Sequence, residues 1–197
     1  MNAAMWMDEF AHACLDGDIV DRVHRDYDRC RRVWNAMADR RPQAIVRARS
    51  VADVQKIVAA AAKHDALLAV RGGGHSIPGL STCDDGIVLD LSAMNAVAVD
   101  RSARRAEVLG GALLGDLDAA SVPLGLAVPA GVVSHTGVAG LTLGGGMGWL
   151  SRRFGLTIDS LLAADIVTAD GQLRQISAEA EPDLFWAIRG VEGISAL

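Results

Sequence analysis

Two glycine-rich stretches constrain the fold of this chain more than any other feature of its sequence. Residues 70–76 read VRGGGHS, and residues 129–155 read PAGVVSHTGVAGLTLGGGMGWLSRRFG. The second stretch leaves no room for a long helix or a regular strand, since glycine loses the most conformational freedom on folding. Successive N–H groups in glycine loops form a concavity that suits phosphate. Either stretch alone is an ordinary turn, but the pair favours a large ligand that carries phosphate.

Two familiar phosphate-binding motifs do not occur in the sequence. There is no GxxxxGK[ST] pattern, so the chain does not encode a P-loop. The run GGGHSIPG cannot open a helix, because Pro78 and Gly79 interrupt it, and this excludes the dinucleotide fingerprint of a Rossmann unit. His75 taken alone is most simply a loop histidine whose hydrogen bonds are satisfied.

The pattern of apolar residues predicts an α+β domain. An opening β-α-β unit would place VRGGGHS at the carboxyl end of a strand, and many short strands follow it. An amphipathic helix over 21–38 would carry Val23, Tyr27, Cys30, Trp34 and Met37 on its inner face, and Ser50 with Asp53 indicates the capped start of another helix. The remaining predicted elements are strands 44–48, 66–70, 86–91, 96–99 and 105–109, a helix over 113–122, two strands across Asp170-Gly171, and a helix from Pro182 to Arg189.

Composition excludes several classes of partner and compartment. The net charge of -5 over 197 residues gives no basic surface for nucleic acid, and no segment has the roughly 18 apolar residues that a membrane span requires. Cys14, Cys30 and Cys83 are scattered, which predicts free thiols in a reducing compartment and no disulfide framework or zinc site. The N-terminus lacks the pattern of a signal peptide. We therefore expect a cytoplasmic protein without a metal.

Four strings of the sequence carry a family resemblance. VRGGGHS, IVLDLSAMNAVAVD, PAGVVSHTGVAGLTLGGGMGWLSRRFGL and ADIVTADG occur in this order, between about residue 20 and Gly190. Together they resemble the FAD-binding domain of the berberine-bridge-enzyme-like flavoproteins, in the vanillyl-alcohol-oxidase superfamily. The resemblance implies a PCMH-type FAD-binding domain of two subdomains, 8–110 and 111–197, with FAD between them. It also implies hydride transfer from an unknown organic substrate to the flavin.

The same resemblance assigns residues to the cofactor. The amides of Gly72, Gly73 and Gly74 would approach the pyrophosphate, and His75 would bond covalently to the 8α-methyl group of the flavin, as a neutral imidazole can. Residues 129–131 would line the ring, with the adenine end at Ile166 and Val167 unless these belong only to a core strand. The full set of expected FAD-binding residues is Arg71, Gly72, Gly73, Gly74, His75, Ser76, Pro129, Ala130, Gly131, Val133, Thr136, Gly137, Gly140, Ile166 and Val167.

Three positions of the second loop refine this expectation. Many relatives form a second flavin bond through a cysteine where this chain has Val133, so a single bond through His75 is expected. His135 is expected to form loop hydrogen bonds and not to anchor the flavin. Thr136 occupies the position that governs oxygen access to the flavin in relatives, and its size predicts reoxidation by O2.

The chain ends at Leu197, where relatives continue into a substrate domain. From this we expect a truncated or split protein without a substrate domain and with an unknown catalytic base. A small-molecule substrate is expected if a substrate domain is supplied, and uncovered apolar surface favours self-association or a partner chain. Three functions stay open: the flavin-binding half of an oxidoreductase, a non-catalytic FAD-binding remnant, and a nucleotide-binding module without redox chemistry.

Overall fold

The computed structural model describes residues 15–190, and this part of the chain is a mixed α+β structure, as expected. Its strands are β1 (Asp18–Asp21), β2 (Ala44–Arg47), β3 (Leu68–Arg71), β4 (Ile87–Asp90), β5 (Val97–Asp100), β6 (Arg105–Val108), β7 (Ala163–Val167) and β8 (Leu173–Ser177). Its α-helices are α1 (Tyr27–Cys30), α2 (Val51–Lys63), α3 (Leu114–Ser121), α4 (Val138–Leu143), α5 (Ser151–Phe154) and α6 (Pro182–Ala187), with 3-10 turns at Val122–Leu124 and Thr157–Ser160.

The first half of the chain forms a four-stranded sheet in the order β1-β2-β4-β3. Strands β2, β4 and β3 are parallel, with Ala44 and Leu68 both in register with Ile87, and β1 is antiparallel to β2. Residues of β4 alternate between two core clusters: Ile87 and Leu89 pack towards α2, and Val88 packs with Ile45 on the other face. Since parallel strands end at one edge of a sheet, the carboxyl ends of β2, β4 and β3 lie side by side.

Helix α2 begins where the sequence predicts it. The Ser50 side chain accepts a hydrogen bond from the Asp53 amide at 3.2 Å, which satisfies one of the unpaired donors at the helix start. The Asp53 carboxylate accepts from the amides of Asp16 and Arg49, so its partners precede Ser50 in the chain. This buried carboxylate therefore ties β1, the β2–α2 connection and the helix together.

The prediction of a helix over 21–38 is wrong, because only one turn of it forms. Tyr27 is buried and donates its hydroxyl hydrogen to the Pro42 carbonyl at 2.6 Å, but Val23 is 90% exposed and Met37 94%. After α1 the chain contacts the first glycine loop, where the Trp34 amide donates a hydrogen bond to the Gly74 carbonyl at 3.0 Å. These long-range bonds replace the local bonds of a helix.

The second half of the chain contains two hairpins and short helices. Strands β5 and β6 pair in one hairpin, and β7 and β8 pair in the other, across the expected Asp170-Gly171 turn. The hairpin of β7 and β8 packs on α6 through Phe185 and Ile188. Gln55 of α2 donates to the Gly171 carbonyl at 2.8 Å, so the second hairpin is joined to the first sheet.

Two further sequence expectations concern the thiols and the membrane. Cys30 and Cys83 are free thiols, and burial raises the pKa of Cys83 above its usual value of 9.0. Cys14 lies outside the described residues. In the part of the chain from 15 to 190, no helix is both long and apolar enough to cross a bilayer.

Candidate functional site

The first glycine loop starts at the carboxyl edge of the parallel sheet. Strand β3 ends at Arg71, and Gly74 adopts a φ of +69°, a conformation that L side chains rarely accept. Within residues 15–190, the amides of Gly72 and Gly73 donate no hydrogen bond to another main-chain carbonyl. The loop therefore holds adjacent main-chain donors at a point where the sheet ends.

A buried ion pair fixes the base of this loop. The Arg71 guanidinium donates to the Asp90 carboxylate at 2.8 Å and to the Cys30 carbonyl at 2.7 Å. Burial opposes the charge on Asp90, but Arg71 and the hydrogen bonds from Ser92 together outweigh it and hold the pKa of Asp90 below its usual 3.8. Asp90 ends β4, so the pair joins two strand ends directly under the glycines. The guanidinium of Arg71, an expected cofactor ligand, is thus engaged inside the protein.

The two glycine loops meet through their backbones. A Cβ atom on Gly73 would lie 2.2 Å from the Gly137 nitrogen, and a Cβ on Gly137 would lie 2.5 Å from the Gly73 nitrogen. Both distances are far below any real contact, so each position needs glycine for the loops to touch. The sequence interpretation gave ligand approach as the reason for these glycines; packing between the loops is a sufficient reason for both.

His75 lies where the two loops meet. Its Nε2 atom is 2.7 Å from Nδ1 of His135, and the two rings are tilted by 39° with their centroids 4.7 Å apart. His75 also stacks on Trp34, at a centroid distance of 5.2 Å and an interplanar angle of 18°. His135 thus forms the loop hydrogen bond expected of it, and the bond joins the first loop to the second.

The environment of His75 favours its neutral form. Burial and then the charge of His135 lower the pKa of His75 below its usual 6.5, against a smaller opposing effect of the His135 main chain. A neutral imidazole has one nitrogen with a lone pair that can attack a carbon. The lowered pKa therefore favours an imidazole with one unprotonated nitrogen where the two glycine loops meet.

The rest of the second loop is anchored to the start of α3. The Thr136 carbonyl accepts from the Leu114 amide at 2.9 Å, and the Ser134 carbonyl accepts from Gly115 at 2.8 Å. Val133 is exposed beside these residues. The anchoring fixes the backbone of residues 133–136 next to His75.

Other expected site residues divide into two groups. Half-buried Pro129, Ala130 and Gly131 precede the anchored turn, and a Cβ on Gly131 would lie 2.4 Å from a methyl group of Leu141, so packing already requires this glycine. Gly140 is different, because a Cβ there would have no neighbour within 4 Å among residues 15–190, apart from the backbone of its own helix. In the part of the chain that the structure describes, no contact explains glycine at position 140.

The strand at the expected adenine end is a core strand. Ile166 and Val167 are both buried in β7, and they contribute to different core clusters. Ser76 instead stays in the first loop, where its hydroxyl accepts from the Leu80 amide at 3.0 Å. Contact of Ile166, Val167 and Ser76 with a cofactor remains a prediction.

Trp34 is the site residue that the sequence interpretation missed. Its apolar spacing from Tyr27 and Cys30 assigned it to the inner face of a helix, whereas its ring covers His75. Asn35 beside it donates to the Ile77 carbonyl at 2.7 Å, just after the loop. The spacing of apolar residues gives no sign of the two hydrogen bonds that Trp34 and Asn35 form at the first glycine loop.

The residues present fit FAD. Adjacent glycine amides without main-chain acceptors in the described chain, beside an αL glycine, make an anion-binding concavity suited to a diphosphate. His75 offers a neutral ring nitrogen next to this concavity, and Gly140 leaves open space near the second loop. The donor set thus matches a long ligand with a phosphate part and an electrophilic ring.

Comparison with known proteins gives an independent line of evidence. The sequence model of a protein family described as "FAD binding domain" matches residues 42–177 of this chain. The (R)-6-hydroxynicotine oxidase of Paenarthrobacter nicotinovorans is 38% identical over 176 residues, which are 89% of this chain and 38% of that protein. Berberine bridge enzyme-like 5 of Arabidopsis thaliana is 40% identical over 158 residues, which are 77% of this chain and 29% of that protein.

A solved structure gives the same result. Glucooligosaccharide oxidase of Acremonium strictum, described with a 6-S-cysteinyl, 8α-N1-histidyl FAD, superposes with a TM-score of 0.88 at 31% identity, over 97% of this chain and 40% of that one. The chain spans less than half the length of the relatives it matches. The matched family model, the relatives and the shared fold show that this chain belongs to the FAD-binding domains of the berberine-bridge-enzyme-like, FAD-linked oxidoreductases.

Proposed function

We propose that this chain is the flavin-binding part of an oxidoreductase whose FAD is attached covalently through His75. The observation that carries the proposal is the position of His75, in contact with Trp34 and His135 where the two glycine loops meet, together with the lowered pKa of its imidazole. When bound, FAD would accept a hydride from a carbon of an organic substrate and pass the electrons to O2. The chain's own residues bind and orient the cofactor.

Each loop has a distinct part in this proposal. The amides of Gly72 and Gly73 hold the diphosphate, since they have no main-chain acceptor among the described residues. Residues 129–131 and Val133 face the flavin ring. The space beside Gly140 holds no other described residue, and the ligand occupies it in this proposal. Because Val133 has no nucleophilic atom, the flavin has a single covalent bond.

We propose that substrate recognition depends on residues outside this segment. The named relatives include an oxidase of 6-hydroxynicotine and an oxidase of glucooligosaccharides, and both share this segment with the chain. We therefore propose that the shared segment binds the flavin and does not select the substrate. The substrate is a small organic molecule, and residues outside this segment recognise it.

Binding of FAD to the full chain tests the proposal. We expect the purified chain to bind FAD with a shifted visible absorbance spectrum, and to bind FMN and riboflavin at least about tenfold more weakly, because they lack the diphosphate that the glycine amides hold. Equal affinity for FAD and riboflavin would contradict the diphosphate assignment. Absence of flavin binding altogether would contradict the proposed function.

Reoxidation by O2 is a separate part of the proposal. Thr136 is half-buried, and its backbone is fixed by main-chain bonds to Val133 and Leu114. After anaerobic reduction, we expect bound flavin in the wild type to react with O2 faster than in Thr136→Leu, whose larger side chain blocks access. Thr136→Val keeps the volume and serves as the control. Equal rates in all three proteins would remove Thr136 from oxygen control.

A further inference from the structure

We propose that His135 is a positioning residue that holds the hydrogen of the His75 imidazole on Nε2 and leaves Nδ1 as the atom that bonds the flavin. The inference rests on the proposed function, since it concerns the same covalent bond. Its basis is the 2.7 Å contact between His75 Nε2 and His135 Nδ1. This contact engages one of the two ring nitrogens of His75 and so distinguishes the two.

The ring of His75 contacts two other rings. Trp34 stacks nearly parallel to it, at an interplanar angle of 18°, and the His135 ring lies against it at 39°. Turning the imidazole over would exchange its nitrogen and carbon edges and break the bond to His135. The surrounding rings therefore keep Nε2 towards His135 and Nδ1 away from it.

A hydrogen bond between two neutral imidazoles needs one donor and one acceptor. If His135 donated, the hydrogen of His75 would lie on Nδ1, and neither nitrogen of His75 would have an unused lone pair. If His75 donates from Nε2, its Nδ1 keeps a free lone pair. His135 is exposed, so its own Nε2 can carry its hydrogen into water. Both rings then adopt the Nε2–H form, which is the common form of neutral histidine.

The same contact gives the departing proton an acceptor. As Nδ1 of His75 bonds the 8α carbon, one C–H bond of the methyl group is replaced by the C–N bond. The Nε2 hydrogen passes to Nδ1 of His135 as a proton, and the exposed His135 ring exchanges it with water. The methyl group would release the second proton to solvent, and the two electrons of the broken C–H bond would pass by way of the flavin to O2, which with two protons would form hydrogen peroxide.

Three substitutions of His135 separate its role as a hydrogen-bond acceptor from the packing of its ring against His75. His135→Ala removes both the acceptor and the ring, and His135→Phe keeps an aromatic ring without an acceptor. His135→Asn can place an amide oxygen near the position of Nδ1 and restores the acceptor alone. Ser134→Ala changes the neighbouring side chain and serves as the control.

Two measurements on the full chain follow from this design. In nitrogen-15 NMR spectra without flavin, we expect the His75 hydrogen on Nε2 in the wild type and in His135→Asn, and a mixture of the two forms in the Ala and Phe variants. With FAD added, we expect covalent incorporation, followed by intact mass, to slow about 100-fold in the Ala and Phe variants and to stay within about tenfold of wild type in His135→Asn.

The outcomes distinguish this inference from the proposed function. Wild-type coupling rates in His135→Ala or His135→Phe would overturn the role of His135 while attachment to His75 stands. A hydrogen on Nδ1 of His75 in the wild type would overturn it as well, whatever the flavin does. A wild type that binds FAD and never forms the covalent bond would overturn the proposed attachment, and the inference with it.

Discussion

His75 resists protonation in the folded chain, and this should be visible as a dependence of stability on pH. Its folded pKa lies below the usual 6.5, because of burial and the charge of His135, which is the titratable group that acts on it among the described residues. Between 6.5 and the folded pKa, the unfolded chain therefore binds more protons at this residue than the folded chain. The free energy of unfolding should fall as the pH drops through this window.

The substitution His75→Gln tests this origin of the acid sensitivity. The glutamine side chain does not titrate, so the decline in the free energy of unfolding below pH 6.5 should be shallower in the variant than in the wild type. Urea unfolding at a series of pH values measures both profiles. Parallel profiles for the two proteins would show that His75 titrates alike in the folded and unfolded chain.

At the scale of elements, strands β2 to β8 and the capped helix α2 follow from local sequence, because alternation of apolar residues and a Ser–Asp cap are short-range signals, whereas β1 was not predicted. The segment 21–38 does not follow from local sequence, since its apolar spacing is helical while its bonds go to the first glycine loop. Trp34 and Asn35 both bond residues about 40 positions away. A contact of this range has no periodic signature.

The meeting of the two glycine loops gives a prediction at the same scale. Gly73→Ala should lower the free energy of unfolding by about 1–3 kcal/mol, because its new methyl group would overlap the Gly137 backbone and the loops would have to separate. Gly140→Ala is the matched control. Its Cβ would meet no atom of the described residues within 4 Å beyond the backbone of its own helix, and alanine favours the helix α4 around it.

Urea unfolding and FAD binding should therefore separate the two variants. We expect Gly73→Ala to lose stability, and Gly140→Ala to keep or gain stability while binding FAD more weakly, if its open space admits the cofactor. Wild-type stability in Gly73→Ala would contradict the close contact of the loops. Undiminished FAD binding in Gly140→Ala would remove that position from the site.

For the whole molecule, the sequence predicted which stretches carry the cofactor but not how they are assembled. The motifs around His75 and Gly137 identified the family, and the family identified FAD. The contact between Gly73 and Gly137 and the pairing of His75 with His135 join residues about 60 positions apart. Only the assembled fold brings them together, because β3 and the turn before α4 converge from different parts of the chain. The division into subdomains at residue 110 remains a prediction.

The central claim of this account is that one residue of this chain, His75, carries the flavin. The most direct measurement is peptide mapping by mass spectrometry after the full chain has been incubated with FAD in air, denatured and digested. The account predicts that the flavin mass is found on the peptide containing VRGGGHS, at His75, and that it is absent from His75→Ala. Flavin attached to a different peptide, or equal attachment in His75→Ala, would contradict the account.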